Sequence, residues 1–459
     1  MKKRLSVISA LLLFIGSQAF PQIPDNETRL RDVVGRLGQA TIFMQMPAAK
    51  EMDLISRELS ISSLKDKKLE IVISPLTIDW FLSRKYSFSI QDEDDYKGVA
   101  MASSVTEAMA WDKYPKYTQY DSIMQSFAAL YPSLCDVDTI GTSINGKLVL
   151  VLKISDNVTV DEDEPEVFYT STIHGDETGG FILMLRLADY LLKNYPSTGE
   201  VKELVDNLEI WINPNANPDG SYRTGDIISS PTRSNANGYD LNRNFPDPDD
   251  DITNKQKETL DMIRFMRKHN FVISANFHAG EEVVNFPWDR WSKRHPDDDW
   301  FYSISRKYAD MVHLHAIPGY MTFLENGVTN GYDWYYIYGG RQDFVTLELQ
   351  GREVTIELDD TKLTPASALN ALWEYNYRSL LGYLGNALYG IHGKVTDFSS
   401  GTPVPAKIFI EGHDADSSHI YTDSVTGSFT RLIAPGTWTL TFSATGYISK
   451  SVSVTVVND

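Results

Sequence analysis

Between about residues 113 and 388, short apolar runs of strand length alternate with longer stretches of helical periodicity. Leu148–Ile154, Val167–Ile173, Leu208–Pro214, Val272–Phe277 and Val354–Leu358 are the strand-like runs. Phe181–Lys193 and Lys255–Lys268 carry apolar residues at helical spacing between them. A chain with this alternation folds as an α/β layer structure with a largely parallel or mixed sheet. In such sheets ligands bind beyond the carboxyl ends of the strands. The groups that do chemistry are therefore expected immediately after the apolar runs.

The flanks read differently. At 459 residues the chain has room for about three domains. Residues 25–100 predict a small α/β lobe in the order β-α-β-α-β, which suggests a ferredoxin-like unit. Its strands are Ala40–Met46, Leu69–Ile73 and Tyr86–Ile90. Its helices are Lys50–Leu59 and one opened by Pro75 that runs to about Lys85. Residues 101–112 read as a linker. Residues 389–459 carry short strands at Ile391–Val395, Lys407–Ile410, Ser428–Leu432, Thr437–Phe442 and Val452–Val457. Glycine and proline turns separate them, and the expectation is a small seven-stranded sandwich.

Composition narrows the function classes. The net charge is −20, a field that repels phosphate backbones and disfavours nucleic-acid binding. The single cysteine, Cys135, excludes an intrachain disulfide, a zinc finger and an iron–sulfur cluster, and it reads as a buried small apolar residue. At the N-terminus Lys2, Lys3 and Arg4 precede an apolar run from Leu5 to Ile15 and then Ser17-Gln18-Ala19. That is the pattern of a signal peptide over residues 1–19 and predicts export to a periplasm or the medium. The run is too short to span a bilayer, no later stretch reaches spanning length, and no cysteine follows for a lipid anchor. The reading is of an exported chain without a membrane anchor.

The expected chemistry appears where the sheet rule puts it. His174-Gly175-Asp176-Glu177 follows one strand run directly, and His278 follows a second after Asn276-Phe277. Two histidines and a carboxylate make a three-ligand catalytic zinc set that leaves a fourth position to water. A His-x-x-Glu pair alone is a weak signal. The surrounding blocks make it strong. Asn213-Pro-Asn-Ala-Asn-Pro-Asp-Gly220 comes next, then Arg233-Ser-Asn-Ala-Asn-Gly-Tyr-Asp-Leu-Asn-Arg-Asn-Phe-Pro246 and Asn276-Phe-His278. Gly327-Val-Thr-Asn-Gly331, Trp334-Tyr335, Gly339-Gly-Arg-Gln-Asp-Phe344 and Val354-Thr-Ile-Glu-Leu358 complete the series. In order and spacing these blocks, over about residues 115–459, resemble the zinc metallocarboxypeptidases, and within them the carboxypeptidase N/E/D branch.

The resemblance implies one zinc ion held by His174, Glu177 and His278. It implies Glu357 as the base acting on the attacking water, 22 residues after Tyr335. Glu353 lies on the same strand face but is not the residue that aligns. Arg233 would stabilise the oxyanion. Arg243 and Asn242 would hold the substrate's terminal carboxylate, for which the planar guanidinium fork is suited, and Tyr335 would close over it. Asp240 would orient His174 by hydrogen bonding. Asp289, eleven residues after His278, would pair with a basic C-terminal side chain, with Gln342 at the pocket floor. Arg341 stands where the branch has methionine, and from there it is expected to shield Asp289. Ala279 replaces a glycine, and Glu281-Glu282 brings two acids near His278.

The fold class expected is thus α/β, a mixed-sheet metallocarboxypeptidase domain over residues 113–388. A ferredoxin-like, propeptide-like lobe precedes it, and a transthyretin-like β-sandwich over residues 389–459 follows. The activity expected is hydrolysis of the C-terminal peptide bond of peptides or proteins, with preference for Lys or Arg. The alternatives are a murein γ-D-glutamyl-diaminopimelate peptidase and, in another class, a non-catalytic peptide-binding module on the same fold.

Overall fold

The computed structural model describes residues 25–91, 98–197, 199–249 and 252–457. The signal-peptide reading over residues 1–19 lies outside the described residues.

The first unit opens with a helix, Asn26–Leu37, that the periodicity reading missed. The Asp25 side chain accepts from Thr28 N at its start, and Gly38 ends it at φ 79°. Strand β1 (Ala40–Gln45), helix Ala49–Glu58, strands β2 (Ser60–Lys65) and β3 (Lys68–Ile73), helix Ile78–Ser83 and strand β4 (Ser89–Ile90) follow. The order is β-α-β-β-α-β, so the predicted β-α-β-α-β lacked one strand. β2 was missed because Ser60-Ile61-Ser62-Ser63 carries no apolar run. The sheet order is β2-β3-β1-β4, all antiparallel. Leu30, Val33, Ile42, Ile55, Ile61, Leu69, Ile71 and Phe81 close its core.

Residues 101–112, read as a linker, are packed. Helix Val105–Ala108 lies within them, and Ala102, Ala108 and Trp111 join the large core of the central domain.

That domain is built on an eight-stranded mixed sheet. Its strands are β5 (Cys135–Thr142), β6 (Leu148–Ile154), β7 (Glu166–Ser171), β8 (Glu209–Asn213), β9 (Phe271–His278), β10 (Glu281–Phe286), β11 (Val328–Asn330) and β12 (Arg352–Asp359). The order is β11-β10-β12-β9-β7-β8-β6-β5. β8, β7, β9 and β12 form a parallel centre, and the remaining pairs are antiparallel except β10 with β11. The central strands are buried on both faces, which is why they read as unbroken apolar runs. Cys135 opens β5 and is buried as expected, with its thiol pushed up to about 12 by desolvation. Helices Gly179–Asn194, Asp298–His315 and Leu369–Gly385 supply much of the core on one face. His313 and His315 fall in the last turn of the second of these.

The last unit has strands β13 (Ile391–Lys394), β14 (Lys407–Ile410), β15 (Ile420–Tyr421), β16 (Ser428–Arg431), β17 (Gly436–Ser443) and β18 (Lys450–Val456). They form a two-stranded and a four-stranded sheet, so six strands stand among the described residues where seven were expected. A buried charge knot ties this unit to the central domain. Asp297, fully buried, accepts from Arg352 at 2.6 Å, from Arg431 at 2.8 and 3.0 Å, and from His413 at 2.8 Å.

Candidate active site

The chemistry-bearing side chains meet at the carboxyl ends of the parallel strands. β7 ends at Ser171, and Thr172 then takes a left-handed backbone, φ 60°, which turns the chain sharply toward His174. Gly175 is required there, since a Cβ would meet the Gly220 backbone at 2.3 Å. Asn217 fixes the same turn. Its side chain donates to Ile173 O and Arg233 O, both at 3.2 Å, and accepts from Gly220 N at 2.9 Å. The role of this asparagine as a clamp between blocks was not assigned from the sequence.

His278 ends β9, and Glu357 lies opposite it in the parallel register of β9 and β12. Glu357 is therefore inside β12, two residues before its end, and not after the apolar run where the sheet rule put the chemical groups. His174 Nδ1 lies 2.9 Å from Glu177 Oε1 and 3.0 Å from His278 Nδ1, and His278 Nδ1 lies 2.8 Å from Glu177 Oε2. The far nitrogens are held from behind. Asp240 Oδ1 is 3.0 Å from His174 Nε2, and Asn276 Nδ2 is 2.8 Å from His278 Nε2. All three facing residues are at most 3% exposed. Two imidazole nitrogens and two carboxylate oxygens converge on one buried point, an arrangement a divalent cation satisfies and water alone does not. Burial pushes the Glu177 carboxyl up, but His174 and His278 outweigh it and hold the group well below the ordinary carboxylate range.

Arg233 reaches the same point. Its Nη1 donates to Glu177 Oε1 and its Nε to Asp240 Oδ2, both at 2.9 Å. Glu357 lines the cavity with one carboxylate oxygen, Oε2, buried and without a hydrogen-bond partner. Burial, then the charge of Glu177, raises its carboxyl well above the ordinary value. Glu353 is elsewhere, bonded to Ser274 Oγ and Arg341.

The cavity continues past Asn242, Arg243 and Tyr335 to Asp289. Asp289 Oδ1 accepts from Asn285 Nδ2 at 2.9 Å and Gln342 Nε2 at 3.0 Å. Burial drives the Asp289 carboxyl up to about 6, against the Asn285 hydrogen bond and the charge of Arg243. Gly331 leaves room for it, because a Cβ there would meet Asp289 Oδ1 at 2.0 Å. Arg341 does not shield Asp289. Its guanidinium is fully buried on Glu353, at 2.9 Å, on another side of the sheet end. The sequence-predicted residues His174, Glu177, Arg233, Asp240, Asn242, Arg243, His278, Asp289, Tyr335, Gln342 and Glu357 are thus brought together.

Residues 120–379 match the zinc carboxypeptidase family model. The chain belongs to the zinc carboxypeptidase family. It is 36% identical over 361 residues to carboxypeptidase D of Homo sapiens, covering 75% of this chain and 26% of that protein. It therefore spans about a quarter of the length of that relative. It is 32% identical to carboxypeptidase M of Mus musculus, covering 75% and 81%, and 31% identical to the carboxypeptidase N catalytic chain of Homo sapiens, covering 74% and 83%. These relatives put this zinc carboxypeptidase in the N/E/D branch. Among solved structures, carboxypeptidase A from Helicoverpa armigera aligns with TM-score 0.60 at 17% identity, covering 76% of this chain and 97% of that one. Thrombin activatable fibrinolysis inhibitor aligns with TM-score 0.57 at 15% identity, covering 76% and 98%. At those identities the shared property is the fold. One zinc ion is the family's cofactor, and the His174–Glu177–His278 donor set fits it.

A feature absent from the sequence reading lies over this zinc carboxypeptidase site. Strand β2 of the first unit crosses it. Arg243 Nη2 donates to Ile61 O at 2.7 Å, Tyr335 OH to Ser62 O at 3.3 Å and Trp334 Nε1 to Leu64 O at 3.1 Å. Ser60 Oγ bonds Asp240, and Ser63 Oγ donates to Glu281 Oε1 at 2.6 Å. Gln39 donates to Asp176 Oδ2 at 2.8 Å and accepts from Arg233 N at 2.7 Å. Ser62 lines the cavity itself, which is left with about 30 Å³, room for about two waters.

Proposed function

We propose that the chain is an exported zinc carboxypeptidase that removes C-terminal Lys or Arg from peptides and proteins and that its N-terminal lobe holds it latent. The observation that carries the reading is a single cavity. It joins the His174–Glu177–His278 donor set and Glu357 to Arg243 at one end and Asp289 beyond it.

Bound at the donor set, zinc supplies Lewis acidity and an activated water. Arg243, with Asn242, receives the terminal carboxylate through the guanidinium face that Ile61 O now engages, and Tyr335 closes over it. Asp289 pairs with the ammonium or guanidinium of the last residue. An apolar last residue would leave it buried and unpaired. Arg233 stabilises the charge that develops on the scissile carbonyl oxygen. Glu357 takes the proton of the attacking water and hands it to the leaving amine. Its unpartnered oxygen and its raised proton affinity suit both halves of that task.

Latency follows from space and from partners. A cavity of about 30 Å³ admits no peptide residue, and the two groups that would grip a C-terminus are bonded to main-chain carbonyls of β2. The strand order β2-β3-β1-β4, with helices Ala49–Glu58 and Ile78–Ser83 as its two crossovers and helix Asn26–Leu37 added in front, supports a ferredoxin-like, propeptide-like lobe. The two small sheets of residues 391–456 support a transthyretin-like sandwich whose role is packing against the central domain. The basic and apolar N-terminal run supports export. Among the described residues no helix is long and apolar enough to cross a membrane.

The test is release of the last residue from matched peptides ending in Arg, Lys, Phe and Glu, with and without a zinc chelator. Chelator-sensitive release of Arg and Lys above Phe supports the reading. Release of Phe above Arg sinks the Asp289 assignment, and chelator-insensitive release sinks the mechanism.

A further inference from the structure

We infer that Lys362 forms a cationic subsite upstream of the scissile bond that favours an acidic substrate side chain, and that Glu70 of the N-terminal lobe occupies it. The inference rests on the peptidase reading and adds a preference that the residues of the known site do not specify.

Asp176, Gly280 and Lys362 sit on the three chain segments that hold or directly follow the zinc ligands and the base. Asp176 lies between His174 and Glu177, Gly280 two residues after His278, and Lys362 five after Glu357. Together with Glu70 they line a second cavity, of about 340 Å³, that includes neither Arg243 nor Asp289. With the substrate's carboxylate at Arg243 and its last side chain at Asp289, the preceding residues leave the donor set on this other side. Ser62 joins the two spaces. It lines the catalytic cavity, and its Oγ accepts from Lys362 Nζ at 3.1 Å.

Lys362 Nζ is bonded to the Glu70 carboxylate, and Ser62 Oγ donates to the same Glu70 oxygen at 2.8 Å. Burial pushes the Glu70 carboxyl up, yet Lys362 and these hydrogen bonds more than reverse it, so the surroundings favour an anion at this point. Acidic neighbours face Lys362 as well, Asp176 foremost. The lobe treats the two differently, setting a carboxylate on Lys362 and the neutral amide of Gln39 on Asp176. Once the lobe withdraws, Lys362 loses a strong partner that a substrate glutamate or aspartate can replace.

The experiment uses the full-length zinc-loaded protein and blocked peptides ending X-Arg, with X as Glu, Ala or Lys at the penultimate position and at the one before it. All peptides draw on the same open fraction, so ratios of kcat/KM do not depend on how often the lobe is displaced. The expected ratio of Glu to Lys is about tenfold at one of the two positions, as a partly desolvated charge pair gives. Lys362→Met should bring the ratio near one, and Lys362→Glu should invert it. A wild-type ratio at or below one at both positions, or a ratio unchanged in Lys362→Met, overturns the inference. Failure to release Arg from any peptide reports on latency or on the peptidase reading instead. In that case hydrogen exchange of the Ser60–Lys65 amides in chelator-treated protein decides the subsite. Acetyl-Glu-Arg should accelerate exchange more than acetyl-Lys-Arg, an effect lost in Lys362→Met, and equal acceleration overturns the inference.

Discussion

Gln39→Ala should awaken the enzyme without touching a catalytic side chain. Gln39 is 1% exposed and works only across the boundary between lobe and central domain. Its amide nitrogen is a hydrogen-bond donor to the Asp176 carboxylate at 2.8 Å, and its carbonyl accepts from Arg233 N at 2.7 Å. Asp176 is 7% exposed and its other oxygen already lacks a partner. Removing Gln39 from the closed form leaves a buried carboxylate and a buried N–H unpaired, whereas in the open form water meets both. A hydrogen bond to a charged group is worth about 1.5–3 kcal/mol and a neutral one about 1, so the closed form loses about 3 kcal/mol relative to the open one. At roughly 1.4 kcal/mol per factor of ten, the open fraction rises about 100-fold. The assay is the steady-state rate on an Arg-terminated peptide with full-length protein, beside Lys50→Ala, an exposed lobe residue, as the control. The rate should rise toward 100-fold and plateau if the enzyme becomes fully open. A rate within twofold of wild type, with the lobe still folded by circular dichroism, would refute the claim that the lobe is what limits access.

Three further outcomes are expected. Glu357→Gln should lower kcat by about 10³-fold while zinc content measured by atomic absorption stays at one, because only the proton relay is removed; loss of the metal instead would make Glu357 a structural residue. The preference for Arg over Phe should fall as pH drops through about 6, since the Asp289 carboxyl is charged above that value and neutral below it; a ratio flat from pH 8 to 5 would speak against Asp289 as the partner. Arg431→Met should destabilise the chain by about 3 kcal/mol in denaturant titration, since it leaves fully buried Asp297 and its neighbour Asp414 short of a cation; a loss under 1 kcal/mol would show the knot to be dispensable.

Where the sequence was legible, period and chemistry coincided. β7, β9 and β12 are buried on both faces, so their residues had to be apolar without interruption, and the ligands had to follow them. The edge strands were harder. β5 reads Cys135-Asp-Val-Asp-Thr-Ile-Gly-Thr142 and is half exposed, and β11 has three residues, too few to show a period. β2 was the most consequential omission. Its serines are buried because their partners, Asp240, Glu281 and Lys362, come from 180 to 300 positions away in the chain. No local pattern encodes such pairing. Arg341 misled at shorter range, as the carboxylate that captures it, Glu353, stands twelve residues on, in β12, and not in its own block.

Part of the contact that β2 makes across the active site is written in backbone atoms. Arg243, Tyr335 and Trp334 all take carbonyls of β2, at Ile61, Ser62 and Leu64. Every amino acid carries that carbonyl, so these three contacts ask nothing of the side chains, unlike those made by Ser60, Ser62 and Ser63. The strand also has no chain terminus to offer, so it occupies the grip meant for a C-terminus without presenting a scissile end. A stopper of this kind is read by its shape as well as by its letters. On the proposed latency, its removal falls to forces acting on the lobe as a whole.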